Sequence, residues 1–318
     1  MTKFASSIGA IVLALAAFFC AEAAQAQAHQ TFVSHTGDDS NICYDPTQPC
    51  LTLLGAYGKT AADGEIDIMD TGEYDALTIT QAITIANDSA GVASTRGLIV
   101  NAASTDGVIL RGLTFYGVNN SPNGITANSV NALVVDHCAF QGYSDGAAIL
   151  FAPSNAAKLQ VIDSVLAFNG TSSVGAIQIA PASGGSVSAN IERVRVLNGG
   201  GNGIRVDNSA HFGALHVELH DVTVDGSAGG SGIVAVSATS GGAPSVIVAD
   251  NVTATGNAGY GLRAVGGAAK IFMRRSTIAN NGNGIGVSSG GAIVSYSDNA
   301  FADNANGDGS ATSTLALK

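Results

Sequence analysis

The sequence predicts an all-β fold: a right-handed parallel β-helix, or solenoid, with a short helical cap at its N-terminus. Two short patterns that recur in step along the chain predict this fold, together with the polar turns between them. The first pattern reads apolar, two polar, apolar or small, any, apolar, and its copies lie 23 to 30 residues apart. It occurs as LRGLTF (110–115), VDHCAF (135–140), IDSVLA (162–167), IERVRV (191–196), LHDVTV (219–224), ADNVTA (249–254), MRRSTI (273–278) and YSDNAF (296–301).

The second pattern is a short strand in which alternate apolar residues face the same way. Its copies are NGITA (123–127), AAILF (147–151), GAIQI (175–179), NGIRV (202–206), SGIVA (231–235), YGLRA (260–264) and NGIGV (283–287). A unit this small cannot bury its apolar face alone, so successive units must stack into a solenoid. Crossovers between parallel strands are right-handed in nearly all proteins, and we therefore expect a right-handed coil.

Ahead of the repeats, residues 29–75 are expected to form an N-terminal cap. Within this cap, segment 50–61 places Leu51, Leu54 and Tyr57 at helical spacing, which predicts an amphipathic helix over the first coil. The β-helix itself is assigned to residues 76–318. Nothing in the sequence indicates what covers its last coil.

The first 28 residues resemble a secretory signal peptide. Lys3 supplies a positive start, residues 8–19 an apolar core, and residues 26–28 a small-residue cleavage site, so the mature chain is expected to begin at His29. No later stretch has the roughly 18 unbroken apolar residues that a membrane helix needs. The sequence therefore predicts a secreted or periplasmic protein.

Charge and composition narrow the class of partner. The chain has 318 residues, 13 Lys and Arg, and 24 Asp and Glu, which gives a net charge of −11. An acidic protein repels the phosphate backbone, so nucleic acid is not expected as a partner. An acidic polysaccharide would need a local basic site.

Three cysteines follow the predicted cleavage point. Cys43 and Cys50 bracket the turn-rich sequence YDPTQP, and we expect them to form a disulfide in an exported protein. Cys138 occupies an inward position of the repeat, which predicts a buried thiol that acts as a small hydrophobe.

The NGI-type strands and the repeat as a whole resemble the pectate-lyase-like (pectin lyase fold) superfamily of right-handed parallel β-helices. Residues 31–68 resemble the N-terminal cap of a group of exported bacterial β-helix proteins. The resemblance implies the fold for nearly all of the mature chain. It leaves the activity open, because the superfamily contains lyases, hydrolases, epimerases, adhesins and inactive members.

The stretch VVDHCAFQGYSDG (134–146) resembles the run of plant-type pectate lyases in which DHC leads to DGxxD. In that family the two aspartates of DGxxD bind calcium, which makes Asp145 the metal candidate here and calcium the candidate ion. The second aspartate is replaced by Ile149, and no arginine lies near a proline as in that family. The repeat alone also accounts for this stretch.

Stacking of the coils predicts columns of equivalent residues about 4.8 Å apart. The first polar position of the first pattern places Asp136, Asp163 and Glu192 in successive coils. These carboxylates are the candidate catalytic or cation-binding groups. The alternative is that they fan into water and are screened by salt.

Two further sets of residues are candidates for binding. Arg193, Arg195 and Arg205 are candidates for uronate binding, although they could instead pair with neighbouring carboxylates. An outward apolar column is predicted between inward positions, and it would favour self-association. Its members are Val134, Val161, Val248 and Phe272.

Two main functions fit these observations, and a third is a self-associating adhesin that uses the outward apolar column. The first is an exported, non-catalytic scaffold of a surface or matrix that binds polysaccharide or a partner. The second is a lyase or hydrolase that acts on acidic, uronate-containing polysaccharide. The sequence contains no complete catalytic set for the second function, which leaves the first as the favoured hypothesis.

Overall fold

A computed structural model describes residues 27–88, 91–118, 122–171, 173–210, 213–240 and 242–316. Most of the predicted signal peptide, residues 1–26, lies outside these residues. The first strand begins at Ala28, one residue before the predicted mature N-terminus.

The chain forms a right-handed parallel β-helix, as the sequence predicted, with nine complete turns in the described residues. Each complete turn contributes one strand to each of three parallel sheets. Sheet A consists of β1 (Ala28–Val33), β2 (Thr60–Ile68), β5 (Ile83–Ala86), β8 (Gly107–Arg111), β11 (Ala132–Asp136), β14 (Ala156–Ile162), β17 (Ser186–Glu192), β20 (Leu215–His220), β23 (Ser245–Asp250), β26 (Ala269–Arg274), β29 (Ala292–Ser295) and β31 (Ser313–Thr314).

Sheet B follows sheet A in each turn, after a tight turn. It consists of β3 (Gly72–Tyr74), β6 (Ala93–Thr95), β9 (Leu113–Tyr116), β12 (Ala139–Gln141), β15 (Val165–Ala167), β18 (Arg195–Leu197), β21 (Thr223–Asp225), β24 (Thr253–Thr255), β27 (Thr277–Ala279) and β30 (Ala300–Ala302). Sheet C completes each turn and contains the NGI-type strands. It consists of β4 (Leu77–Ile79), β7 (Leu98–Asn101), β10 (Ile125–Ser129), β13 (Ile149–Phe151), β16 (Gly175–Ile179), β19 (Asn202–Asn208), β22 (Ile233–Ser237), β25 (Tyr260–Val265) and β28 (Asn283–Ser288).

The hydrophobic core runs along the inside of the coil. Alternate residues of each strand point inward and stack on the equivalent residue of the next turn, as Phe115 stacks on Phe140 with ring centroids 4.4 Å apart. Cys138 is buried as predicted, and burial raises the pKa of its thiol to about 12. The Cys138 thiol therefore stays protonated and contributes packing.

The turn between sheets A and B has the same form in successive coils. Its central residue adopts a positive φ of about 50°, as at His137 (51°), Asp163 (49°) and Arg193 (51°). The next residue often faces inward, and Ser164 there accepts a hydrogen bond from the backbone N–H of Cys138 at 3.1 Å. This repeated turn fixes which polar residues neighbour one another on the surface.

The observed pairing of the sheet A strands shows that two of the predicted columns of residues are wrong. Asp136 pairs with Ile162, which in turn pairs with Glu192, so Asp163 lies one position later, in the turn, and is not in the column of the other two carboxylates. Ile162 is apolar but partly exposed and Ser164 is polar but buried, and this inversion shifted the predicted frame of this coil by one residue.

The same shift makes the predicted apolar column wrong at Val161. That residue is fully buried and pairs with Val135, whereas the outward neighbour of Val134 is Gln160. In the next two coils the same outward position is occupied by polar residues, and Val248 and Phe272 follow in the two coils after them. The apolar residues therefore do not form one continuous column.

The N-terminal region contains a helix, α1 (Leu53–Tyr57), which is shorter than predicted. It packs on the core through Leu53 and Ala56. The prediction that Leu51 and Leu54 face the core is wrong, since 44% and 66% of these residues are exposed.

A disulfide joins Cys43 to Cys50 as predicted, with 5.1 Å between their Cα atoms. Beside it, the Lys59 ammonium donates hydrogen bonds to the backbone oxygens of Asp39 and Asn41, both at 2.6 Å. At the other end, β31 pairs with β29 and extends sheet A. No helix in the described part of the chain is long and apolar enough to cross a membrane.

Candidate functional site

The predicted carboxylates lie on a charged ridge at the corner between sheets A and B. We define the ridge by the polar residues at the last outward position of strands β8, β11, β14, β17, β20, β23 and β26 and at the turn position that follows each strand. Its members are Arg111, Asp136, His137, Asp163, Glu192, Arg193, His220, Asp221, Asp250, Asn251, Arg274 and Arg275.

The ridge charges of the middle coils are paired with each other. Arg193 binds Asp163 in a bidentate manner, through Nε to Oδ1 at 2.6 Å and Nη2 to Oδ2 at 2.9 Å, and it also contacts Glu192. The guanidinium lowers the pKa of the Asp163 carboxyl. Asp136 contacts the Nδ1 atom of His137 at 2.6 Å. Arg193, one of the predicted uronate ligands, is therefore already bound to carboxylates.

A second ion-pair group is centred on Asp250, whose side chain is 10% exposed. Arg275 donates to it through Nε at 2.8 Å and Nη2 at 2.6 Å, and Arg274 through Nη2 at 2.6 Å. His220 Nδ1 lies 3.4 Å from the same carboxylate. The hydrogen bonds from Arg275, followed by those from Arg274, lower the pKa of Asp250 to about 2. Asp250 therefore remains ionised at all physiological pH values.

The metal candidate suggested by the resemblance lies elsewhere. Asp145 is exposed in the turn before β13, and Ile149 is fully buried in that strand. Among the described residues, one group of three or more has ligand atoms close enough to share a metal ion, and it consists of Asp136, His137 and Asp163. Asp145 does not belong to this group.

The three predicted uronate ligands lie on three different faces. Arg193 is on the ridge, Arg195 is exposed on sheet B, and Arg205 lies on the outer face of sheet C. The fold therefore does not bring the three side chains together.

Arg205 instead lines a cleft that the sequence reasoning missed. The cleft has a volume of about 460 Å³ and lies where the loops between sheets B and C meet the outer face of sheet C. It is lined by Ser173, Asn202, Arg205, Ala228, Gly229, Gly230, Ser231, Ala258, Gly259, Tyr260 and Arg263. These residues come from four successive coils, which makes the cleft a product of the stacking.

Two arginines and one tyrosine form the chemically distinctive part of the cleft. Arg205 pairs in register with Val234, which pairs with Arg263, so the two arginines share a face two strands apart, about 10 Å. Val234 lies between them and is 3% exposed. The Arg263 guanidinium lies over the Tyr260 ring, 5.2 Å from its centroid.

The two arginines differ in their partners. Arg205 donates through Nε at 3.0 Å and Nη2 at 2.7 Å to Asp207 of the same strand. Arg263 has no ion pair among the described residues, and its contact is the Tyr260 ring. The Tyr260 ring lies against Gly286 of the next coil, where a side chain would clash with it. Arg263 is thus a held but uncompensated cation.

Buried polar side chains fix the loops of the cleft. Asn202 accepts a hydrogen bond from the backbone N–H of Ser231 at 2.9 Å, and Ser231 accepts one from the backbone N–H of Tyr260 at 3.1 Å. Asn202 is 6% exposed and Ser231 is 4% exposed. Successive loops are therefore tied to one another, and Tyr260 is held in place beneath Arg263.

A signal for this cleft exists in the sequence. The outward residue at the fourth position of the NGI-type strands is an arginine in NGIRV and in YGLRA. Comparison of these outward positions between coils would have placed Arg205 and Arg263 on one face. The sequence reasoning used the second pattern only for its inward residues.

No protein-family model and no curated protein matches this chain. A search of solved structures found a rhamnogalacturonan lyase with 13% sequence identity and a TM-score of 0.45. The alignment covers 83% of this chain and 75% of that chain. At this level the likeness gives no information on activity.

Proposed function

We propose that this chain is an exported, non-catalytic β-helix protein that binds acidic, uronate-containing polysaccharide in the cleft of Arg205, Tyr260 and Arg263. The observation that carries the proposal is the uncompensated guanidinium of Arg263 beside the Tyr260 ring. Export is supported by the predicted signal peptide in residues 1–28 and by the Cys43–Cys50 disulfide.

The electrostatics of the cleft favour an anionic ligand. The chain has a net charge of −11, yet none of the described residues that line the cleft is Asp or Glu. A guanidinium binds a carboxylate with two parallel hydrogen bonds, and such charge-assisted bonds are stronger than those between neutral groups. Arg263 is free to make these bonds, whereas Arg205 must share its guanidinium with Asp207.

The other groups of the cleft fit a sugar. A tyrosine presents an apolar ring with a polar tip, which suits the mixed apolar and hydroxylated faces of a pyranose. Ser173 and the glycine-rich loop 228–231 supply hydroxyl and backbone groups around the ring. The lining thus combines one arginine without a carboxylate partner, Arg263, with a ring and several neutral hydrogen-bonding groups, a set suited to a uronate within a polymer.

A lyase or hydrolase for acidic polysaccharide is the second candidate, and a different surface favours it. Glu192, Glu218, His220 and Asp250 line a cleft of about 370 Å³ on the outer face of sheet A. Glu192 and Asp250 are engaged by arginines, so an enzyme at this surface would use Glu218 and His220 as its acid or base, with His220 Nδ1 3.4 Å from Asp250.

An experiment separates the two candidates. Mature protein beginning at His29 is titrated with polygalacturonate, with the same polymer after reduction of its carboxyl groups, and with neutral polysaccharides. Calorimetry reports binding, and the products are assayed for unsaturated ends and new reducing ends with and without calcium.

We expect binding of the acidic polymer, much weaker binding of its carboxyl-reduced form, and no product. Equal binding of the two forms would contradict the role of Arg263. Product formation would favour the enzyme, and calcium-dependent unsaturated ends in particular would point back to Asp145.

A further inference from the structure

Three side chains on the charged ridge present metal-ligating atoms to one another. One nitrogen of His137 and one carboxylate oxygen each of Asp136 and Asp163 all lie within 4.8 Å of one another. His137 is exposed, and the two aspartates are half-buried. A small movement of these side chains would bring the three atoms to the 2.0–2.2 Å that a zinc ion requires of each ligand.

The backbone fixes the relative positions of the three residues. Strands β11 and β14 pair in register, and His137 and Asp163 occupy the same turn position in successive coils. The backbone N–H of His137 donates to the oxygen of Ile162 at 3.1 Å. Because the turn recurs from coil to coil, this arrangement does not depend on a flexible loop.

The ligand set indicates which class of ion would bind. Calcium takes six to eight oxygens and does not favour imidazole, whereas zinc and its neighbours among the transition metals bind histidine together with carboxylates. Three protein ligands would leave the remaining positions to water.

Arg193 is the competitor for this site. It holds both carboxylate oxygens of Asp163, but it also contacts Glu192. If an ion replaces it at Asp163, the guanidinium keeps a carboxylate partner, which lowers the cost of the exchange.

We propose that Asp136, His137 and Asp163 bind a divalent transition-metal ion of the zinc class, and that Arg193 leaves Asp163 for Glu192 when the ion binds. The ion links two successive coils at the corner between sheets A and B, whereas the cleft lies at the loops between sheets B and C. This site does not depend on polysaccharide binding.

The test is a calorimetric titration of tag-free mature protein with Zn²⁺, supported by the visible spectrum of Co²⁺ as a report of ligand type. The diagnostic variant is His137→Asn, because asparagine tolerates the positive φ of this turn and removes the imidazole. The matched control is His216→Asn, a change at an exposed histidine on the outer face of sheet A.

We expect one ion per chain in the wild type and in His216→Asn. His137→Asn should lose more than about ten-fold in affinity for Zn²⁺. A loss of about ten-fold is what a substitution beside a metal site causes when every ligand is kept. Arg193→Gln should bind up to about five-fold more tightly, because it removes an exposed ion pair that competes with the metal.

Three results would overturn the proposal. They are the absence of Zn²⁺ binding by the wild type, an affinity of His137→Asn equal to that of the wild type, and a weaker affinity of Arg193→Gln. Circular dichroism of each variant confirms that the fold is retained, so that a loss of binding can be assigned to the site.

Discussion

The charged ridge and the cleft of Arg205, Tyr260 and Arg263 lie at different corners of the same β-helix. They differ in whether their arginines have carboxylate partners. On the ridge, arginines and carboxylates of neighbouring coils bind each other, as Arg193 does with Asp163. In the cleft, Arg263 has a tyrosine ring in place of a carboxylate. The ridge has many more charged residues than the cleft, but the cleft contains Arg263, an arginine without a carboxylate partner among the described residues. An anion that binds on the ridge would have to displace a carboxylate from an arginine, whereas one that binds Arg263 would not.

The two corners also differ in their connections. The turn between sheets A and B is short and adopts the same backbone conformation in coil after coil. The loops between sheets B and C are longer and include the glycine-rich stretch 228–231, which lines the cleft. Ligand sites in proteins are concentrated in such loops when a rigid scaffold positions them.

The largest effect on stability is expected from a ladder of buried asparagines that supports the cleft corner. Its members are Asn257, Asn281 and Asn304. Asn281 Oδ1 accepts hydrogen bonds from Asn257, and its Nδ2 donates to Ala254 and Asn304, all in the buried interior. Asn281→Ala leaves several buried groups without partners, and we expect it to lower the free energy of unfolding by about 3–5 kcal/mol. Urea denaturation measures the loss.

The control for this substitution is Asn190→Ala, at a half-buried residue on the outer face of sheet A. It should change the free energy of unfolding by less than about 0.5 kcal/mol. Equal losses in the two variants would show that the ladder does not stabilise the cleft corner.

The next largest effect is expected on the ridge. Asp250→Asn removes the carboxylate that Arg274 and Arg275 share. The folded-state pKa of Asp250 is about 2 against an ordinary value of 3.8. The carboxylate therefore contributes about 2 kcal/mol of stability above pH 4, and this contribution disappears as the pH falls through 2.

Urea denaturation at pH 7 and at pH 2 tests this sign. The gap in unfolding free energy between wild type and Asp250→Asn should be about 2 kcal/mol at pH 7 and close to zero at pH 2. Asp145→Asn, at an exposed turn residue, should show no gap at either pH. A gap of the same size at both pH values would contradict the ion-pair account.

The smallest effect is expected on sheet B, away from both corners. Thr223, Thr253 and Thr277 form an outward ladder in register. Thr253→Ala removes one cross-strand contact on each side and should cost about 0.5 kcal/mol. Thermal unfolding measures this loss of stability. A loss as large as that of Asp250→Asn would contradict the expected order, in which the cleft corner contributes most, the ridge less and sheet B least.

The repeat made the fold predictable, because most of its inward residues are apolar in every coil. The disulfide was predictable as well, because Cys43 and Cys50 flank a short turn. The register of one coil was misplaced because Ile162 faces outward and Ser164 faces inward, where its hydroxyl satisfies a backbone N–H. A hydrophobicity pattern does not record such a hydrogen bond.

The cleft was harder to predict for a different reason. Arg205 and Arg263 are 58 residues apart in sequence and share a face only because sheet C stacks in register. The sequence indicated Arg193 and Arg195 as partners of Arg205, because they are near it along the chain. Proximity in a β-helix depends on the coil position and not on the distance along the sequence.

The most direct test of the cleft compares the binding of a galacturonate oligomer by wild type, Arg263→Ala and Arg195→Ala in isothermal titration calorimetry. Arg263→Ala should weaken binding by about 10- to 100-fold, because it removes charge-assisted hydrogen bonds to the carboxylate. Its unfolding free energy should change by less than about 1 kcal/mol, since a cation–π contact between partly exposed side chains contributes little. Arg195→Ala, outside the cleft, should bind as the wild type does. An unchanged affinity in Arg263→Ala, or a loss confined to Arg195→Ala, would contradict the assignment of the cleft.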